Sequence, residues 1–216
     1  MNRLPIFFFL ISILLIKPLH LVAQDGSPFN LSGPKVTPEI VISEIIRYPN
    51  EAAKARKEGR VVYQIEIDSS SNYVSSTLFE LTHPAFKEES QKAMNYLEAS
   101  WYPELLGSKA PGESYLVVMT FANLNLQVDP IDRLAQANRL IKKGKPGKAI
   151  PILNRLIDVY PYGKEYYETR AKAFARMGNN DEFQSDTEKI VNLEKTVLAN
   201  LTTFIYSTRS RVPISW

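Results

Sequence analysis

Apolar and polar residues alternate at period two through Val61, Tyr63, Ile65 and Ile67, set against Val62, Gln64 and Glu66. That alternation predicts a half-buried strand with one apolar face. Asp68 to Asn72 supplies turn formers, so a second strand, about Val74 to Leu81, is expected to return antiparallel. The spacing then becomes helical. Phe86, Ser90, Ala93, Met94, Leu97 and Trp101 fall at i, i+4, i+7, i+8, i+11 and i+15, one helical face that would lie over the sheet. Pro103, Gly107, Pro111 and Gly112 punctuate a loop, and Tyr115, Val117, Met119 and Phe121 form the inward face of a last strand. With a short helix after Tyr48-Pro49, the order is helix, hairpin, helix, strand.

After Asn123 the strand-like alternation stops and helical stripes take over. Leu134, Ala137, Leu140 and Ile141 make one stripe, closed by Lys142-Lys143-Gly144. Pro146 suits the first turn of the next helix, whose stripe is Ala149, Ile152, Leu153, Leu156, Ile157 and Tyr160, and Pro161 ends it. Pro151 lies inside that helix and predicts a slight bend or a frayed start. The unit recurs: Tyr167, Ala171 and Phe174, a Gly178-Asn179-Asn180 turn, then Phe183, Ile190 and Val191. Gly144 and Gly178 are 34 residues apart, and Ala137 matches Ala171, Leu140 matches Phe174, and Ala149 matches Phe183. Large Phe183 in place of a small residue predicts altered packing there. Leu198, Leu201, Phe204 and Ile205 predict a further helix, about Thr196 to Ser207, capping the stack.

The N-terminus changes the picture of where this chain works. A basic start at Arg3, an apolar run from Leu4 to Ile16, a break at Lys17-Pro18 and a small-residue site at Leu21-Val22-Ala23 have the layout of a secretory signal peptide over residues 1–23. The run is shorter than the ~20 residues of a spanning helix, and an uncleaved membrane anchor is the alternative. Residues 24–40 read as a Gly/Ser/Pro-rich linker. Cleavage after Ala23 removes Arg3 and Lys17, so 26 Lys+Arg become 24 against 23 Asp+Glu. A nearly neutral mature chain offers no case for nucleic acid, which needs clustered positive charge. The chain has no cysteine, hence neither disulfides nor lipid attachment through an N-terminal cysteine.

Candidate chemistry is sparse. His83 is the single histidine beyond the leader, so a conventional zinc site is excluded, and a loop role near a helix start outweighs any catalytic triad. Glu88-Glu89 and Asp181-Glu182 lie in solvated helical turns. Gly144-Lys-Pro-Gly-Lys148 lacks the spacing and following Ser or Thr of a phosphate loop and reads as an inter-helix turn. Tyr160, Tyr162, Tyr166 and Tyr167 cluster near Lys164 and Arg170. Aromatics with arginine mark binding hot spots, which makes Tyr162, Tyr166 and Arg170 partner-contact candidates, although repeat packing explains the same spacing. No residue pattern calls for a cofactor or a metal.

Several local motifs resemble known families. Tyr48-Pro49 with Ala52, Glu58-Gly59-x-Val61, a helix led by Phe86, Trp101-x-Pro103 and a last strand ending at Phe121 resemble, in that order, the C-terminal domain of TonB. Asn72 stands where that family has a turn glycine. The resemblance implies a small antiparallel sheet with two helices over residues 41–123, an α+β domain that binds extended segments by strand addition along the last strand. Here that strand is about Ser114 to Phe121, with Leu116, Val118 and Thr120 outward and uncharged; pairing of this edge within the chain or with a second copy is the alternative. The period of 34 over residues 130–195 resembles tetratricopeptide repeats. This implies an all-α helical-repeat domain over residues 130–207, followed by a tail, 208–216.

The expectation is a non-enzymatic, exported protein-binding scaffold, periplasmic in a Gram-negative envelope. Its partners would be other envelope proteins or extended peptide segments, with a homodimer as a further option and no stable membrane span once the leader is cleaved. The alternative is a membrane-tethered component of a TonB-type transduction or transport complex. The short linker argues against force transmission across a periplasm, which requires a long, stiff spacer.

Overall fold

In the computed structural model residues 36–124 and 129–205 are described. The signal-peptide reading, most of the linker and the tail lie outside them. All the described residues belong to one compact unit. Among the described residues the architecture is mixed α+β: one four-stranded sheet and seven α-helices, four of them in the C-terminal part.

Helix α1 (Pro38–Ile45) and the single turn α2 (Asn50–Lys54) precede the sheet. Strand β1 (Gly59–Ile67) pairs antiparallel with β2 (Tyr73–Leu81) through the Asp68–Asn72 turn. The turn forms because the Asp68 carboxylate accepts from the Ser70 and Asn72 amides, both at 2.8 Å. The left-handed residue is Ser71, φ +66°, rather than Asn72, whose side chain instead donates to Asp68. A short 3-10 turn, Pro84–Phe86, leads into α3 (Lys87–Ala99). The predicted helical face is the buried one: Phe86, Ser90, Ala93, Met94 and Leu97 are closed from solvent. Trp101 donates its indole N–H to the Ser71 carbonyl at 2.9 Å, fixing the far end of the hairpin.

Gly59 has a steric reason. A Cβ there would come within 2.6 Å of the Phe86 ring, so only glycine lets the ring lie on the strand. Phe86 in turn stacks on Phe121, with centroids 4.3 Å apart, and Tyr48 meets both rings edge-on. The Tyr48, Gly59, Phe86 and Phe121 positions thus build one aromatic knot.

Strand β3 (Ser114–Asn123) pairs antiparallel with β1. The four helices α4 (Pro130–Lys142), α5 (Pro146–Val159), α6 (Lys164–Met177) and α7 (Asn180–Thr196) follow. Their starts repeat at 34 residues, Pro130 to Lys164 and Pro146 to Asn180. Gly144 and Gly178 both close the preceding helix with positive φ, +70° and +76°. Helix α5 runs through Pro151, its sixth residue, which withholds the amide that would bond to the Gly147 carbonyl. Ala149 is fully buried, whereas its counterpart Phe183 is 38% exposed. Helix α5 packs against both α4 and α6, while α7 packs mainly on α6.

The predicted capping helix is not one. Residues Val197–Ile205 form a fourth strand, β4, paired in parallel with β3, so the sheet order is β2-β1-β3-β4. The physical reason is that β3 offers an unpaired row of backbone groups beside α7, and satisfying that row outweighs local helical spacing. The sheet carries α1 and α3 on one face and the α5–α6 turn on the other. This second covering explains why Val62 and Val118 are fully buried although they lie opposite the α3 face.

Candidate binding edges of the sheet

Of the residues singled out from sequence, Val118, Thr120 and Tyr166 are buried and Leu116, Tyr162 and Arg170 half-buried. Leu116, Val118 and Thr120 lie on β3, which is bonded to β1 on one side and to β4 on the other. Leu116 is half-buried and the other two are buried, so β3 is not an open edge. Tyr166 is buried in the helical core with Tyr160. Arg170 grips Asp186 with two bonds, Nε to Oδ2 at 3.0 Å and Nη2 to Oδ1 at 2.7 Å, and donates to Asn154 at 2.7 Å. It thereby ties α5, α6 and α7 together, stacked over Tyr167 and Phe174. Tyr162 donates to Glu80 at 3.2 Å and lies under the Arg60 guanidinium. These three side chains join parts of this chain.

The dispersed polar groups also have structural partners. His83 accepts from the Ala85 amide at 3.2 Å and caps the 3-10 turn, with its ring edge-on to Phe86. Glu66 accepts from Ser75, and Glu80 is held by Arg60. The turn amides and the Asn72 side chain hold the Asp68 carboxyl below its ordinary range. Among the described residues no three of His, Cys, Asp and Glu are placed to hold a metal ion.

Between the sheet and the helical array runs a polar seam. Arg60 donates to Glu80 at 2.6 Å and to the Val159 carbonyl at 3.2 Å, and the Asn200 amide side chain donates to the Tyr162 carbonyl at 3.0 Å. Two clefts flank Arg60. One, of about 90 Å3, includes Thr120, Tyr160, Tyr162 and Asn200 in its walls. The other, of about 270 Å3, includes Glu58, Thr82 and Asp158. Burial, with the Glu58 and Asp129 carboxylates beyond, pushes the Tyr160 phenol up to about 12. Among the described residues its buried hydroxyl has no hydrogen-bond partner.

The sheet ends on two edges of different character. Beside β4, the Glu39 carboxylate of α1 accepts from the Asn200 amide at 3.3 Å, so this edge is partly stopped. A groove of about 620 Å3 runs there past Lys109, Lys164, Glu194 and Leu198. Its charges are matched, since Lys164 pairs with Glu194 at 2.7 Å and with Glu168 at 3.3 Å. Burial pulls the Lys109 ammonium down, and its Nζ donates to the Glu194 carbonyl.

Among the described residues, strand β2 is the open edge. Its register against β1 slips twice, skipping Phe79 between the Val62–Glu80 and Tyr63–Leu78 pairs, and Val74 between the Glu66–Ser75 and Ile67–Tyr73 pairs. These are β-bulges, which re-aim a side chain. Phe79 is 61% exposed and Val74 55% exposed. From Tyr73 to Phe79 the strand carries no charge. Sequence reasoning missed this surface because both residues fit plain alternation and a bulge leaves no residue signature here.

No protein-family model, curated protein or solved structure matches this chain. Among the described residues no helix is long and apolar enough to cross a membrane.

Proposed function

We propose that this chain is an exported, non-enzymatic protein-binding scaffold of the bacterial envelope, in which a TonB-like sheet receives extended segments of other envelope proteins and a tetratricopeptide-like array braces it. The observation that carries the reading is the open β2 edge, uncharged from Tyr73 to Phe79 and presenting Phe79 and Val74 to solvent. An added strand gains backbone hydrogen bonds along such an edge and side-chain contacts from the two apolar residues. The helix starts at a period of 34, each unit divided by a left-handed glycine, favour the repeat reading of the array. The aromatic knot around Gly59 favours the TonB-like reading of the sheet.

The test is recovery of partners from envelope extract with the wild-type chain and with a Val74→Lys/Phe79→Lys variant. Both positions face solvent, so the fold is expected to persist, while charges on a strand edge oppose pairing. Partner recovery is expected to fall at least tenfold. Equal recovery with an intact circular dichroism spectrum would remove β2 as the binding edge.

A further inference from the structure

Strand β4 reaches the sheet in an unusual way. Helix α7 ends at Thr196 and β4 begins at Val197, with no connecting residue. Val197 still donates its amide to the Leu193 carbonyl, the α-helical bond, and its Cα already pairs with Leu116 on β3. Helices α4 and α6 are each terminated by a left-handed glycine. Helix α7 has neither glycine nor proline from its last turn to Ile205, so nothing local stops it.

The side-chain pattern favours continuation. Ile190, Leu193, Val197, Leu201 and Phe204 fall at i, i+3, i+7, i+11 and i+14, one helical stripe that includes the buried Leu193 of α7 and runs on in register through β4. The same nine residues also satisfy a strand, with Ala199 and Leu201 toward the α3 side and Phe204 toward the helical array. As a strand they are loosely held: only Ala199 is fully buried, and the other eight are half-buried or exposed. Neither β3 nor β4 contains a charged residue, so β4 is held by backbone bonds, a few apolar contacts and the Asn200 bonds to Tyr162 and Glu39.

We infer that residues 197–205 are an exchangeable strand: β4 occupies an acceptor edge on β3 and leaves it by continuing α7, which opens β3 to an extended, uncharged segment with a small residue at the Ala199 position. The small residue is required because Ala199 packs fully buried in the core that also holds Val41, Ile42 and Val117. The resident strand is the template for the visitor, and whichever occupies β3 excludes the other. This inference rests on the reading of the sheet as a receptor for extended segments and adds a second, gated edge to the open one.

Thr120 and Thr202 are register partners across β3 and β4. In a chain without cysteine, Thr120→Cys with Thr202→Cys forms a disulfide that fastens β4 when oxidised and frees it when reduced. The probe is a labelled synthetic peptide of residues 197–205, titrated into this full-chain variant. The reduced form is expected to bind it, the oxidised form at least tenfold more weakly, and helical content to rise on binding as the displaced segment joins α7. Amide exchange across 197–205 is expected to outpace that of Val61–Ile65 in the unliganded chain.

Equal binding in both redox forms would place the peptide on another edge and overturn the exchange, leaving the receptor reading standing. Exchange across 197–205 as slow as in β1, with no binding, would show β4 fixed and overturn the inference. Fast exchange without binding would show that β3 accepts no visitor and overturn the inference, while the β2 reading stands or falls on the Val74→Lys/Phe79→Lys variant. If the double variant does not fold, a probe peptide with Ala199→Arg serves against the wild-type chain. It loses at least tenfold in affinity if the peptide takes the place of β4, and unchanged binding overturns that placement.

Discussion

On the α3 side of the sheet, Phe86 stacks on Phe121 with centroids 4.3 Å apart, and Ile65, Met94 and Leu97 close around them without reaching water. On the opposite side, Glu80 joins Arg60 to Tyr162 by direct bonds, and clefts of about 90 and 270 Å3 border Arg60. The first face is a core, in which each side chain is held by the volume of its neighbours. The second is a docking surface, in which a few directional bonds position a helical turn and leave gaps between them. The difference shows how one short sheet serves as both foundation and joint. Apolar density fixes the hairpin and α3, while the seam fixes only the place of the α5–α6 turn.

The comparison is tested hardest on the dense face. Phe86→Ala removes a fully buried ring that touches Tyr48, Phe121 and the Gly59 backbone, and α3 cannot collapse into the space without leaving the sheet. The expected loss is about 3–5 kcal/mol, read as a fall in the denaturant midpoint. A loss of less than about 1 kcal/mol would mean that this face is no more tightly packed than the seam.

On the seam, the informative change is Arg60→Ala. Glu80 and Tyr162 lose their shared cation and the Val159 carbonyl loses a donor, all at partly exposed positions. Stability is expected to fall by about 1–2 kcal/mol, since water can re-solvate these groups. The larger sign should be local, as faster amide exchange in the α5–α6 turn with the β1 amides unchanged. Uniform acceleration through both would show that the seam and the core open as one unit.

Legibility followed the same division. Strand β1, the hairpin and the buried face of α3 were readable because residues of one period face one side and meet one neighbour. The helical starts were readable because glycine and proline punctuate them. What sequence reasoning lost was decided by tertiary pairing. Val197–Ile205 has helical spacing, yet the unpaired row on β3 draws it into the sheet. Tyr162 and Arg170 carry the composition of a binding hot spot, yet composition is silent on whether the partner is another protein or another element of the same chain. Phe79 and Val74 escaped because a bulge is a property of the pairing, not of the residue.

The smallest expected effect isolates one atom of the seam. Among the described residues the buried Tyr160 hydroxyl has no partner, and burial beside the Glu58 and Asp129 carboxylates raises its pKa from 10.0 to about 12. A phenol whose folded value lies above its unfolded one favours the folded state fully below pH 10, and that contribution is lost as pH rises toward 12, because the unfolded chain releases its proton first. Tyr160→Phe removes both features. At neutral pH it should leave stability unchanged or raise it by up to about 1 kcal/mol, since no hydrogen bond is lost. Between pH 10 and 12 the variant should lose stability less steeply than the wild type, in paired denaturation curves. Superimposable alkaline limbs would mean that Tyr160 ionises as if in water, with the seam open enough to admit solvent to its hydroxyl.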